Sequence, residues 1–107
     1  MAQVLLRAGA DQYAATALLA SAATPTDIAI LPGSASKTIL VTKVIISGTK
    51  TTAGLVDVLL IKRSTANSGG TSAAMTAVPY DSTNLAASAA PLSYTANPTP
   101  GTAVGTV

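Results

Sequence analysis

The sequence predicts a small all-β protein: an antiparallel β-sandwich of jelly-roll type, preceded by an N-terminal arm. Several short runs rich in Val, Ile and Thr are separated by connections rich in Gly, Pro, Asn and Ser. Strand-like runs do not alternate with helix-like ones, so a parallel α/β sheet has no support. The 107 residues suffice for one small domain. We therefore divide the chain into an arm at 1–24 and a β-sandwich domain at 25–107.

The N-terminal part leaves two alternatives open. Residues 9–24 are rich in Ala and Leu, which are good helix formers, so this stretch forms either a short helix or a weakly ordered arm. Gly9 and the step from Thr24 to Pro25 bracket it, since both Gly and Pro interrupt regular structure.

The clearest predicted strand covers 36–48, where β-branched residues dominate and neither face is purely polar. A Thr/Gly turn at 49–54 leads to a second apolar strand at 55–63. Two adjacent strands joined by such a turn predict an antiparallel hairpin. The other candidate strands are 3–8, 26–31, 73–78, 91–96 and 102–107.

The composition predicts an assembling protein with a thin core. Charged residues make up 9% of the chain, against about 25% in an average soluble protein. Phe and Trp are absent, so the apolar residues are small and each buries little area. We expect a homo-oligomer, with a trimer as one form. The net charge of +2 is spread along the chain and predicts no nucleic-acid partner. No apolar run reaches the length of about 18 residues that would predict a membrane span.

Catalytic chemistry has few candidates, because His, Cys and Glu are absent. Asp27 and Asp57 are a conceivable carboxylate pair. We favour Asp27 as a turn residue and Asp57 as protection of a strand edge or a partner for Lys43 or Lys62. The oxygens of residues 81–84 lack the spacing of a calcium loop. We therefore expect no enzyme, no cofactor and no metal.

The loop IKRSTANSGGTSAAM at 61–75 raises the question of a phosphate site. A phosphate-binding P-loop needs a Lys directly after its second conserved Gly, and a helix after that. Here Gly69 and Gly70 are followed by Thr71, and the next residues are extended. The interpretation is a strand connection whose glycines tolerate positive φ. Lys62 and Arg63 are interpreted as the solvated end of a strand.

Five motifs carry a resemblance to a known family. They are LPGSASKT (31–38), SGT-x-TTA (47–53), V-x-L-I-K-RSTAN-x-GGTS (58–72), TAVPYDS (76–82) and YTANPT (94–99). From about residue 24 to the C-terminus, the chain resembles small structural proteins of tailed-phage and prophage virions that have no assigned catalytic function. Similar proteins continue with further strands, so we expect a truncated sandwich or one completed by a neighbouring subunit.

The resemblance implies a virion location. The leading expectation is a capsid decoration or cement protein that contacts the major capsid protein or other virion proteins. A tail, baseplate or fibre-associated protein is the first alternative. The second is a carbohydrate-binding β-sandwich, for which Tyr13, Tyr80 and Tyr94 are the available aromatic rings. The residues expected at an assembly interface are apolar ones of the arm: Val4, Leu5, Leu6, Tyr13, Leu18 and Leu19.

Overall fold

A computed structural model describes residues 11–20 and 24–107. Over these residues the protein contains seven short β-strands and no helix. The strands are β1 (Tyr13–Ala14), β2 (Ala29–Ile30), β3 (Ile61–Arg63), β4 (Thr71–Ala74), β5 (Val78–Pro79), β6 (Leu92–Ala96) and β7 (Ala103–Thr106). Every strand pairing is antiparallel. The predicted all-β, antiparallel class is therefore confirmed.

The strands form three small sheets that do not close into a barrel. β1 pairs with β5, β3 pairs with β7, and the three-stranded sheet has the order β2-β6-β4. β4 and β6 form the longest ladder, with Ala74 opposite Leu92 and a register shift after Thr71. β3 and β7 shift register between Lys62 and Arg63. These shifts re-aim side chains next to a polar cluster that is described below.

The predicted hairpin of 36–48 with 55–63 is wrong. Neither 36–48 nor 55–60 forms a strand, and β3 pairs with the C-terminal strand β7. The physical reason is that β-propensity reflects packing against neighbouring strands, and these residues have none among the described residues. A β-branched sequence thus forms no ladder here within the described residues.

The other expected strands are found in shorter form. Strand β2 lies within 26–31, β6 within 91–96 and β7 within 102–107, while 73–78 is divided between β4 and β5. The candidate strand at 3–8 lies outside the described residues. Between residues 11 and 20, the structure has strand β1 and no helix, so the helix alternative does not apply to that stretch.

The described chain buries little of its apolar content. Among the residues described, no Val, Leu, Ile, Met, Ala or Tyr side chain is fully buried. The accessible surface is 8918 Å², against about 5,400 Å² for a compact monomer of this mass. The radius of gyration is 16.9 Å, where a compact domain of this length has about 13 Å. The chain alone is therefore elongated, with much surface left to cover.

Candidate functional site

The main candidate site is a long exposed stretch between β2 and β3, which we name the apolar segment and define as residues 38–60. Leu55 is 97% exposed and Leu40 is 81% exposed. The other large apolar residues exposed here are Val41, Val44, Ile45, Ile46, Val56, Val58, Leu59 and Leu60. A contiguous apolar surface of this extent is typical of an interaction site in a soluble protein.

The backbone of the apolar segment is also unpaired. No hydrogen bond within the described chain involves residues 38–59, and the ladder begins where the Val107 amide donates to the Leu60 carbonyl at 2.8 Å. Backbone N–H and C=O groups require partners, so those of the segment are met by solvent or by another chain. The segment thus presents both exposed apolar side chains and unpaired backbone N–H and C=O groups to a partner.

A shallow apolar groove joins the segment to the three-stranded sheet. Its volume is about 220 Å³. Its lining includes Ile30 of β2, Met75 directly after β4, and three residues of the segment: Val41, Val44 and Leu60. The groove is lined by hydrocarbon rather than by groups that could hold a polar ligand, so it suits an apolar side chain of a partner.

The best-defined polar group is a cluster that we name the clamp: Asp27, Arg63, Asn67 and Gly101. Arg63 donates from Nε to Asp27 Oδ2 and from Nη2 to Oδ1, each at 2.6 Å. Asn67 Nδ2 donates to the same Oδ2 at 2.8 Å. The side chains of Arg63 and Asp27 are only 17% and 13% exposed. Such a two-point ion pair is geometrically specific and stronger than a single contact.

The clamp links three distant parts of the chain. Arg63 Nη1 donates to the Gly101 carbonyl at 2.8 Å, and the Gly101 amide donates to Asn67 Oδ1 at 2.8 Å. Hydrogen bonds from Arg63 are the main cause that lowers the pKa of Asp27, with partial burial opposing and Asn67 adding to the effect. The same contact with Asp27 raises the pKa of Arg63. Both groups are therefore charged, and the clamp positions the start of β2 against β3 and β7.

The clamp corrects two sequence interpretations. Arg63 is not a solvated strand end, because its guanidinium is committed to Asp27 and Gly101. Lys62, the preceding residue, is exposed as expected. Asp27 is not simply the turn residue that the sequence favoured, because it lies outside any assigned turn and both of its carboxylate oxygens accept hydrogen bonds from Arg63.

Asp57 also differs from its expected role. Among the described residues it makes no ion pair with Lys43 or Lys62, and it lies outside any strand. Asp57 and Lys43 are both exposed within the apolar segment. The interpretation as an intrachain charge pair is therefore wrong, and both charges are unmatched inside this part of the chain.

The polar turn after β5 is explained by its own hydrogen bonds. Asp81 Oδ1 accepts from the Thr83 amide at 2.9 Å and from the Thr83 hydroxyl at 2.7 Å. The Asn84 amide donates to the Asp81 carbonyl at 3.0 Å. In the ranges 11–20 and 24–107, no group of three or more acidic, His or Cys side chains is arranged to hold a metal ion.

The glycine loop has the conformation that the sequence predicts. Gly69 and Gly70 have φ values of 64° and 73°. The loop is held to the C-terminal region by a bridge between Ser68 and Thr99, with N···O distances of 3.0 and 2.7 Å. Gly70 lies directly against the backbone of Pro98. The loop thus connects β3 and β4 and packs against the residues after β6, and the close approach of Gly70 to Pro98 requires glycine.

The structure describes three of the six residues expected at the assembly interface: Tyr13, Leu18 and Leu19. Val4, Leu5 and Leu6 lie outside the described residues. Tyr13 is half-buried in β1 and donates its hydroxyl to the Leu85 carbonyl. Leu18 is fully exposed beside a cavity of about 380 Å³, and Leu19 is partly exposed.

The sequence analysis predicted strands at 36–48 and 55–63 but did not identify the apolar segment as an exposed surface. The available signal was that both faces of 36–48 carry large apolar residues, which favours cover from two sides. Two of the tyrosines lie in different parts of the fold. Tyr80 is 74% exposed next to the β1–β5 pair, whereas Tyr94 is half-buried in β6.

Comparison of the chain with protein-family models, with curated proteins and with solved structures gives no match. Of the residues described, none belongs to a helix with the length and apolar character needed to cross a membrane. Functional inference therefore depends on the geometry and on the sequence motifs.

Proposed function

We propose that this protein is a structural component of a phage virion that decorates and cements the capsid lattice as a homo-oligomer. The observation that carries the proposal is the uncovered surface. The accessible area exceeds that of a compact monomer by about 3,500 Å². Interfaces of obligate homo-oligomers bury roughly 2,000–5,000 Å² summed over both partners, so the excess of one subunit is large enough for an interface of this class.

The proposed mechanism is stabilisation by binding. Subunits that attach only to the assembled lattice shift the equilibrium towards it, by an amount set by their concentration relative to their dissociation constant. The apolar segment supplies side chains that gain free energy when a neighbour removes them from water. A surface with few charges favours this role, because close packing between copies meets little electrostatic repulsion.

The motifs that resemble virion structural proteins support the proposal from a second direction. Arg63 and Asn67 of the clamp, together with Gly69 and Gly70, all belong to the motif at 58–72. In this fold, these residues position strands and joints rather than a reactive group. The resemblance therefore falls on residues with a structural task, which suits a protein that works by packing.

Copy number in purified particles tests the proposal. Particles that contain the chain would be banded on a density gradient, and the chain quantified by mass spectrometry against isotope-labelled peptides. A capsid decoration protein is expected in hundreds of copies per particle. A few dozen copies or fewer would place it in a tail, baseplate or fibre instead. A chain that does not co-sediment with particles would contradict a virion role.

A further inference from the structure

We infer that the apolar segment is an antiparallel strand-addition surface, and that its occupant is the same segment of a second copy of this chain. Residues 40–45 of one copy pair with residues 55–60 of the other. This inference rests on the homo-oligomer of the proposed function and names its interface, whereas the virion location is not required for it.

The first argument is the state of the backbone. Residues 38–59 are without a backbone hydrogen bond inside the described chain, yet their sequence is among the most strand-prone in the protein. Exposed strand edges of this kind pair with strands of another chain. A partner strand would satisfy the N–H and C=O groups and cover the exposed side chains in one step.

The second argument is charge complementarity within the segment. Lys43 is the charged residue of 40–45 and Asp57 that of 55–60; both are exposed, and neither forms an ion pair within the described chain. Placing Lys43 opposite Asp57 fixes the register, because a slip by one residue would set Lys43 against Val56 or Val58. The other opposed pairs are then Leu40–Leu60, Val41–Leu59, Thr42–Val58, Val44–Val56 and Ile45–Leu55.

The third argument explains why the partner is a second copy. Each chain contains both the strand with Lys43 and the strand with Asp57. In a dimer of identical chains, each copy can therefore pair its Lys43 strand with the Asp57 strand of the other copy. The uncovered area of one chain is also large enough for its share of an obligate homo-oligomer interface. An unrelated partner would have to supply both charges and both strands.

Charge reversal tests the pairing in the full-length protein. Lys43→Asp would set Asp against Asp57 at each pairing site, and Asp57→Lys would set Lys against Lys43. We expect each variant to self-associate about tenfold more weakly, because like charges replace opposite charges across the strands. An equimolar mixture of the two variants should regain the wild-type association, since every site would again hold one Asp and one Lys. Sedimentation velocity over a dilution series measures this.

Lys50→Asp is the matched control, because it makes the same change of net charge in the connection between the two strands. The double variant Lys43→Asp/Asp57→Lys should also associate like the wild type. Two single variants that associate normally would overturn the inference. So would a double variant that recovers while the mixture does not, because that result indicates a hairpin within one chain.

Particle occupancy separates this inference from the proposed function. If mixing does not rescue association but the single variants still decorate particles fully, the pairing is wrong and the virion role stands. If mixing rescues association but the wild-type chain is absent from particles, the pairing stands and the virion role is wrong.

Discussion

Gly70 is the position where a single methyl group should most clearly disturb the fold. A Cβ at Gly70 would lie 2.8 Å from the Ala96 carbonyl oxygen and 2.9 Å from Cα and N of Pro98, where ordinary contact begins at 3.4 Å. These are backbone atoms of the last residue of β6 and of Pro98 just after it, so they cannot rotate away as a side-chain end could. Gly69 is an ideal control, because its φ is also positive but its Cβ would meet nothing within 4 Å.

Alanine at Gly69 or Gly70 has the cost of a positive φ in common, and only alanine at Gly70 has the additional cost of steric overlap. Positive φ costs an alanine about 1–2 kcal/mol, and the stiffer unfolded chain returns about 0.4–1 kcal/mol of that. Gly69→Ala should therefore destabilise the protein by roughly 1 kcal/mol. Gly70→Ala adds the overlap with Ala96 and Pro98, for which overpacking costs are about 1–3 kcal/mol. Each additional kcal/mol lowers the melting temperature of a domain of this size by about 4–8 °C.

Circular dichroism melting curves of wild type, Gly69→Ala and Gly70→Ala would measure the difference. All three proteins must be compared at one concentration, because dissociation of an oligomer contributes to the transition. We expect Gly70→Ala to melt at least about 4 °C below Gly69→Ala. Equal melting temperatures of the two variants would show that Gly70 does not lie against Pro98, and would refute the claim that this close approach requires glycine.

Three further predictions concern the clamp, the apolar segment and the arm. Asp27→Asn should destabilise the protein at neutral pH. Because folding lowers the pKa of Asp27 from 3.8, the stability advantage of the wild type is fully present above 3.8 and should be lost as the pH falls through the lowered folded-state pKa. Urea titrations of both proteins at several pH values would measure this. Ile45→Ser should weaken self-association by light scattering while leaving the circular dichroism spectrum unchanged, and Leu85→Ser, equally exposed at 76% but outside the segment, should weaken it far less. The triple variant Val4→Ser/Leu5→Ser/Leu6→Ser should occupy particles less than the wild type while still forming β1. Full occupancy by this variant would show that these three residues do not contribute to attachment.

The sequence predicts the chain's strand class well because that information is local. Short β-branched runs and Gly/Pro/Asn/Ser connections indicate strands and turns without knowledge of their partners. Positive φ at Gly69 and Gly70 was predictable for the same reason, since a side chain is unfavourable there. Partner choice is not local: β3 pairs with β7 across some 40 residues of chain, whereas the sequence favoured the nearest strand.

The clamp and the apolar segment show why the site was harder to predict. Asp27 is far in sequence from Arg63 and Asn67, and no spacing rule connects a carboxylate with a guanidinium 36 residues away. The apolar segment was recognised as strand-forming, but its composition looks the same whether its cover comes from the same chain or from another. That distinction depends on tertiary packing, which the unpaired backbone of residues 38–59 makes visible.

Hydrogen–deuterium exchange of the amides of residues 38–59 tests most directly whether the apolar segment is covered by assembly. Exchange would be followed by mass spectrometry over a dilution series, with light scattering of the same samples. We expect fast exchange at the lowest concentrations and protection that rises together with assembly, while the amides of the β4–β6 ladder stay protected throughout. Fast exchange in the fully assembled protein, or equal protection in a dilute monomer, would contradict the account.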